Sequence, residues 1–233
     1  MCGRFTITRR DGNSLAAELG VPADSFVDYR PRYNVAPTQN HFIVRIKYEN
    51  REVIPATWGL VKSGSKDASM AARTINARSE TVETRGAFRD AFREHRCVVP
   101  ADGFFEWTGA KTARQPTWFH REDGGLILFA GLYEAWQKEQ GVWQTTFTIL
   151  TTAANALLES YHDRMPVILG DRDADDWMDP RTPDPHALKR LLVPAPADLL
   201  TATPVSPDVN NVDNDSPELL QPAGQMSLSL RSS

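Results

Sequence analysis

The sequence contains few of the residues that build disulfide frameworks or metal centres, and no long apolar run. Its 233 residues include 2 cysteines and 5 histidines. Two cysteines are too few for a disulfide framework or a four-cysteine zinc site, and the histidines lack metal-ligand spacing, so we expect no metal, no cofactor and reduced thiols. No run approaches the roughly 18 to 20 apolar residues of a membrane span, and no signal-peptide pattern opens the chain. The sequence therefore predicts a cytoplasmic protein with no membrane partner.

The charge is unevenly distributed along the chain. The formal net charge is −4, which does not by itself indicate a nucleic-acid partner. Residues 1–100, however, contain 16 Lys and Arg against 11 Asp and Glu, whereas residues 101–233 have a net charge of −9. This asymmetry allows a basic face on an acidic protein. Scattered surface arginines that mark only a solvated face are the alternative.

Hydrophobic patterning predicts one α+β domain. Short alternating runs follow one another in hairpin succession, as at residues 41–48 and 52–58, and are interrupted by predicted helices at residues 11–19, 86–95 and 153–161. This order favours curved, mainly antiparallel, barrel-like sheets flanked by short helices. We expect the domain to cover residues 1–222, with residues 223–233 forming a flexible tail because they carry few large apolar groups.

Cys2 is the first candidate for chemistry. Removal of Met1 would leave an α-amine and a thiol on adjacent carbons, and both groups are partly in their nucleophilic forms near neutral pH. The amine can condense with an aldehyde to an imine, which the thiol then closes to a five-membered thiazolidine. The alternative is that Cys2 is simply a small second residue after ordinary methionine trimming.

Three further segments carry polar groups whose roles remain open. Asn76 and Arg78 are two residues apart, so an extended backbone would point an amide and a guanidinium to one side; the alternative is a helix start capped by Ser79. Glu106 lies in an aromatic run, where loss of solvent would raise its pKa and keep it available as a proton donor, unless it points into water from a strand edge. His162 can exchange protons near neutral pH, or it can simply cap a helix.

Eight segments together resemble the SOS-response-associated peptidase (SRAP) family in order and spacing. They cover nearly the whole chain, and their combination is specific although each one alone is weak. The segments are MCGRF (1–5), RYNVAP (32–37), WGL (58–60), INARSET (75–81), ADGFFEW (101–107), FAGL (129–132), ILTTAA (149–154) and HDRMP (162–166).

The resemblance implies a sensor of abasic sites in single-stranded DNA that forms a covalent thiazolidine crosslink through Cys2 and so protects the lesion during the DNA damage response. It also implies lyase-like chemistry, self-processing of Met1, a monomer, and a place in the bacterial cytosol or on the nucleoid. Asn76 would orient the sugar or the α-amine, Glu106 would shuttle protons, and His162 would assist proton transfer and reversal. The DNA-binding residues implied by the resemblance are Arg4, Pro37, Arg78, Thr151 and Arg164.

One departure from the family pattern and two other functional hypotheses accompany this resemblance. Residues 61–67 lack the aromatic side chains that many members carry there, so we expect weaker base stacking, compensated electrostatically by Lys62 and Lys66. The first alternative is a thiol peptidase or amidohydrolase that uses Cys2 on other substrates. The second is a non-catalytic module that binds single-stranded DNA.

Overall fold

The computed structural model describes residues 2–110, 112–182 and 184–224. No helix in this part of the chain combines the length and the apolar character that a membrane crossing needs. The described strands are β1 (Phe5–Ile7), β2 (Arg32–Val35), β3 (Asn40–Lys47), β4 (Asn50–Trp58), β5 (Asn76–Arg78), β6 (Arg96–Ala101), β7 (Gly103–Thr108), β8 (Gln115–His120), β9 (Ile127–Glu139), β10 (Val142–Ala153), β11 (Arg164–Pro166), β12 (Ile168–Leu169) and β13 (Thr201–Pro204). The α-helices are α1 (Gly12–Leu19), α2 (Arg89–Glu94) and α3 (Asp171–Met178).

Five strands close into a ring. Strand β4 pairs antiparallel with β3 and parallel with β10, where Thr57 is opposite Thr146. Strand β10 pairs antiparallel with β9, β9 with β6, and β6 returns to β3 at Val98 and Val44. The prediction of an α+β fold with curved, mainly antiparallel, barrel-like sheets is therefore confirmed.

A second sheet lies against this ring, in the strand order β13, β8, β7, β1, β2. One apolar cluster joins the two sheets. The rings of Phe5 in β1 and Phe104 in β7 both meet the Phe129 ring of β9 edge-on, with ring centres 6.1 and 5.9 Å apart. The same cluster contains Cys97, which is fully buried as the sequence predicts for a small hydrophobic residue. The outer face of the ring packs against the helices in a separate cluster that includes Trp177 of α3.

Local sequence explains the elements that were predicted well. Asp11 caps α1 by accepting a hydrogen bond from the Ser14 amide at 2.8 Å, and Gly20 ends the helix at a φ of 64°. The predicted hairpin of β3 and β4 turns at Tyr48 and Glu49, which both have positive φ. Helix α2 begins later than predicted, at Arg89.

The predicted helix at residues 153–161 is wrong. Strand β10 continues to Ala153, and residues 156–161 form successive turns. Because Ala153 is opposite Arg164 of β11, the residues between them form a short connection between paired strands. Asn155 holds this connection in place, since its Oδ1 accepts from the Leu158 amide at 3.1 Å and its Nδ2 donates to the Ala195 carbonyl at 2.9 Å. The predicted tail falls mostly on residues 225–233, which lie outside the described residues.

The corner between β6 and β7 depends on one buried carboxylate. Asp102 is 5% exposed and accepts hydrogen bonds from the hydroxyl of Thr6 at 2.6 Å and from the amide and hydroxyl of Thr8 at 2.5 and 2.7 Å. Arg9 adds an ion pair at 3.4 Å. Because β6 belongs to the ring and β7 to the second sheet, this carboxylate ties the chain crossing between the sheets to β1 and the residues that follow it.

We therefore expect Asp102→Asn to lower the free energy of unfolding by about 2–3 kcal/mol, because an amide cannot accept from all of these donors and hydrogen bonds to a charged group are the stronger ones. Chemical denaturation monitored by tryptophan fluorescence measures this difference. Asp24→Asn, which alters an exposed carboxylate, is the control and should leave the midpoint unchanged. Equal midpoints for the two variants would contradict the role given to Asp102.

Candidate active site

The chain segment before β1 carries Cys2 into the apolar cluster between the two sheets. Cys2 is fully buried, and its thiol lies 3.8 Å from the Arg4 carbonyl. Strand β1 pairs antiparallel with β7, with Phe5 opposite Phe104, and the Phe105 amide donates to the Arg4 carbonyl at 3.0 Å. Continued past Phe5, this register brings the residues next to Cys2 alongside Glu106. Burial raises the pKa of the Cys2 thiol, so the sulfur is held protonated.

Asn76 is brought directly to Cys2. It opens β5, which pairs parallel with β10 so that Asn76 is opposite Ile149. Its Nδ2 donates to the Cys2 carbonyl at 2.8 Å, and its Oδ1 is buried with no hydrogen-bond partner among the described residues. An unsatisfied buried acceptor costs about 1–3 kcal/mol, so this oxygen is positioned for a donor that comes close to Cys2. The alternative of a helix start capped by Ser79 is wrong, because residues 79–84 form turns.

Glu106 is buried on β7. It is 3% exposed, so the interpretation of a solvated strand residue does not hold. Burial raises the pKa of its carboxyl group, and the nearby carboxylate of Asp163 raises it further, whereas the positive charge of Arg114 lowers it. A carboxyl group in this setting can hold a proton closer to neutral pH than an exposed glutamate does.

His162 follows the turns after β10 and lines the same groove as Glu106. Its Nδ1 lies 2.9 Å from the Arg164 amide nitrogen, which donates to it whenever that ring nitrogen carries no proton. The same Nδ1 lies 2.7 Å from Asp163 Oδ1, which can take up its hydrogen when the ring becomes protonated. Burial lowers the pKa of His162, and the Asp163 carboxylate opposes that shift. The ring is therefore neutral at neutral pH.

The groove beside Glu106 and His162 has a volume of about 650 Å³. Glu106 and His162 line it together, so a carboxyl group and an imidazole face one space. Its lining residues are Gly3, Arg4, Glu106, Trp107, Gly109, Thr112, Arg114, His162 and Asn210. An electrophile held here would meet a proton donor and a proton acceptor beside the Cys2 segment.

The three arginines of the sequence motifs differ in availability. Arg4 lines the groove, but its Nη1 donates to Asn34 Oδ1 and to the Val209 carbonyl, both at 2.8 Å. Arg164 forms a two-pronged ion pair with Glu80 at 2.6 and 2.9 Å. Arg78 is exposed at the end of β5. Of these three arginines, Arg78 alone is exposed and makes no side-chain hydrogen bond or ion pair with the described residues.

The other two residues expected to approach a ligand lie on different elements, one near the end of β10 and one after β2. Thr151 is fully buried, and its carbonyl accepts from Arg164 Nη2 at 2.6 Å and from the Ser79 amide at 2.9 Å. Pro37 is half-buried in the turn after β2. Thr151 thus positions β5 and β11 through its backbone, whereas Pro37 offers a partly open surface.

The segment that lacks aromatic side chains is tied to the ring. Trp136 of β9 donates from its indole nitrogen to the Ser65 carbonyl at 2.7 Å. Lys62 pairs with Asp90 of α2 at 2.8 Å, which neutralises part of the charge expected to compensate for the missing stacking. Lys66 remains exposed.

Sequence reasoning missed two charged residues that act on Glu106. Asp163 follows His162 directly, and its position in the HDRMP motif was the available signal. Arg114 lies in no motif, and only the β7–β8 hairpin brings it to the groove. Its contribution depends on tertiary structure.

Fold and site together define a class of α+β barrel protein, in which a segment carrying a buried cysteine lies beside a groove lined by a carboxyl group and an imidazole. The chain belongs to the SOS response associated peptidase (SRAP) family, which its residues 1–212 match. The family expected from the sequence motifs is therefore confirmed.

Relatives extend over almost the whole chain. The abasic site processing protein YoqW of Bacillus subtilis (strain 168) is 38% identical over 225 residues, covering 95% of this chain and 99% of that protein. The abasic site processing protein YedK of Escherichia coli (strain K12) is 34% identical over 227 residues, covering 95% and 100%. A solved structure from Bacteroides thetaiotaomicron has a TM-score of 0.84 at 26% identity, covering 95% of this chain and 100% of that one.

The contacts of His162 give a prediction for its titration. We expect Asp163→Asn to lower the pKa of His162 further, because the substitution removes the carboxylate that stabilises the protonated ring. NMR titration of the His162 Cε1–Hε1 signal measures the shift. The matched control, Asp123→Asn, should leave the value unchanged. A wild-type pKa above the ordinary histidine value, or an upward shift in the Asp163 variant, would contradict the described contacts.

Proposed function

We propose that this protein recognises abasic sites in single-stranded DNA and bonds to them covalently through Cys2 after removal of Met1. Two observations carry the proposal: Asn76 binds the Cys2 carbonyl, and Glu106 and His162 line one groove together with Gly3 and Arg4, which follow Cys2 in the chain. Relatives that match nearly the full chain are named abasic site processing proteins, which supports the same substrate. The ring-opened sugar of an abasic site offers an aldehyde, the electrophile that an aminothiol traps.

Removal of Met1 consumes one water, and capture of the aldehyde releases one. Hydrolysis of the Met1–Cys2 peptide bond first frees the α-amine, and the family name of peptidase is consistent with self-processing. The amine nitrogen of Cys2 adds to the aldehyde carbon to give a carbinolamine. Loss of its hydroxyl group as water gives an iminium ion, and the sulfur then adds to the same carbon to close the thiazolidine. Each step uses a group that the chain or the lesion supplies.

Burial of the thiol suits this order of events. Because burial raises the pKa of Cys2, the sulfur stays protonated and unreactive until an electrophile forms beside it. The iminium ion brings a positive charge, which favours loss of the thiol proton at that moment. The amine therefore reacts first, and the thiol makes the product stable.

Glu106 supplies and recovers the proton. Its raised pKa keeps a share of the carboxyl group protonated, so it can protonate the departing hydroxyl of the carbinolamine. The carboxylate that results can accept the proton from the Cys2 thiol during ring closure, which returns Glu106 to its starting state. Asn76 Oδ1, buried beside Cys2, would accept a hydrogen bond from the freed α-amine and orient it.

His162 acts as the second proton carrier. Its neutral imidazole can accept a proton when the Glu106 carboxyl group is already protonated. Its exposure of 32% places it closer to solvent than Glu106. We assign to it proton exchange with water and assistance in reopening the adduct.

The DNA strand is held through its phosphate backbone. Arg78 offers a free guanidinium, while Arg4 and Arg164 contribute positive charge from positions bonded to the protein. We assign Pro37 and the Thr151 region to the same DNA-binding surface, as the family resemblance implies. Such a surface reads phosphates rather than bases, so affinity for single strands should fall as salt rises.

Replacing the nucleophile tests the proposal. We expect Cys2→Ser to abolish the stable adduct with an abasic single-stranded oligonucleotide, because oxygen closes and holds the ring less well than sulfur. Denaturing electrophoresis measures the adduct. Cys97→Ser is the matched control, since Cys97 is equally buried but lies on β6, and it should crosslink wherever it folds. A normal yield of stable adduct from the Cys2 variant would move the reaction to another residue.

Proton transfer is tested separately from capture. We expect Glu106→Gln to slow crosslinking by about 10²- to 10⁴-fold, because general acid catalysis contributes about that factor, while affinity for DNA stays nearly intact. His162→Ala should change the rate of adduct reversal more than the final yield. Time courses with one abasic oligonucleotide measure both. A Glu106→Gln variant that crosslinks at the wild-type rate would remove Glu106 from the mechanism.

A further inference from the structure

The hairpin of β7 and β8 brings a cation that lies in no sequence motif to the groove. Arg114 immediately precedes β8, whose first residue, Gln115, is opposite Thr108 of β7. This register places Arg114 at the end of β7, close along the hairpin to Glu106. Arg114 is exposed, and it lines the groove together with Glu106 and His162.

The other arginine that lines the groove is already occupied. Arg4 binds Asn34 and the Val209 carbonyl, and its guanidinium lies 5.9 Å from the centre of the Trp107 ring. Burial also lowers the pKa of Arg4, as expected for a guanidinium held among protein groups. Arg4 is therefore restrained, and a new partner would have to compete with its carbonyl and amide acceptors.

Arg114 has no such restraint. Within residues 2–110, 112–182 and 184–224 its guanidinium makes no hydrogen bond and no ion pair. Its positive charge nevertheless lowers the pKa of Glu106, against the larger effect of burial, so the two groups are within electrostatic range. An exposed, unbonded guanidinium in a concave, polar groove is free to form a two-pronged contact with a phosphate.

We propose that Arg114 binds a phosphate of the DNA strand next to the reacting sugar and so holds the aldehyde between Cys2 and Glu106. This inference rests on the proposed function and names the contact between protein and DNA that lies nearest to the reacting sugar. The contact is made to the backbone, so it operates with any base sequence.

The first experiment measures binding without the covalent step. The probe is a fluorescein-labelled oligothymidylate with no abasic site, followed by anisotropy over a series of salt concentrations. Arg114→Gln should bind roughly tenfold more weakly. The slope of log affinity against log salt should become shallower by about 0.7, the value for one phosphate contact on a single strand.

Two further variants serve as controls. Arg10→Gln removes the same charge from an exposed residue beyond the other end of β1, and it should keep the wild-type slope. Arg114→Lys should recover most of the slope, since it restores the charge. Equal affinity and slope in Arg114→Gln and Arg10→Gln would overturn the inference. So would equal losses in Arg114→Gln and Arg114→Lys accompanied by a lower thermal midpoint, because that result indicates a structural role.

A crosslinking experiment distinguishes failure of this inference from failure of the proposed function. With an abasic oligonucleotide, Arg114→Gln should need roughly tenfold more DNA for half-maximal rate and reach the wild-type rate at saturation. If wild-type protein crosslinks and the variant has the same concentration dependence, the inference is wrong and the function stands. If wild-type protein forms no adduct while Arg114 still sets affinity and salt slope, the phosphate contact stands and the proposed function is wrong.

Discussion

The hydrogen bond from Asn76 to the Cys2 carbonyl is the contact on which the site depends. It is 2.8 Å long and joins the segment before β1 to β5. Strand β5 lies along β10, and β10 is part of the closed ring, so this bond fixes the cysteine relative to the barrel. On the other side of the segment, β1 pairs with β7 and brings Glu106 alongside. Two sheets therefore meet at Cys2, and each contributes one polar side chain.

Burial then sets the charges of the site. The pKa values of Cys2 and Glu106 are raised and that of His162 is lowered, with loss of solvent as the largest cause in each case. All three shifts favour the uncharged forms of the groups. Arg78 and Arg114 lie exposed. Uncharged reacting groups repel a polyanion less than a carboxylate and a thiolate would, and the exposed cations offset the remaining negative charge.

Local signals in the sequence were enough for part of this structure. Asp11 and Gly20 predicted the ends of α1 because capping depends on neighbouring residues alone. The aromatic run around Glu106 suggested its loss of solvent, although alternation alone left open which face it would occupy. Residues 153–161 were predicted as a helix because their pattern is helical, but they connect the paired strands β10 and β11, and Asn155 is bonded to Ala195, 40 positions away. Both constraints depend on the fold.

The arginines illustrate the same limit. The motif sequence indicated Arg4 and Arg164 as phosphate ligands, yet their guanidinium groups bind Asn34 and Glu80, which are 30 and 84 positions away along the chain. Arg114 had no motif to indicate it and became a candidate only when the β7–β8 hairpin placed it in the groove. Residue type predicts what an arginine can bind. Whether it is available is decided by long-range contacts.

Reaction of Cys2 as an aminothiol can be read from the intact mass of the purified protein, recorded before and after mixing with an abasic single-stranded oligonucleotide. If Cys2 reacts as an aminothiol, the protein alone lacks the mass of one methionine residue, and the product has the combined mass of protein and oligonucleotide less one water. A protein that retains Met1 and still forms the adduct would contradict the account, since an acylated nitrogen cannot form the iminium ion.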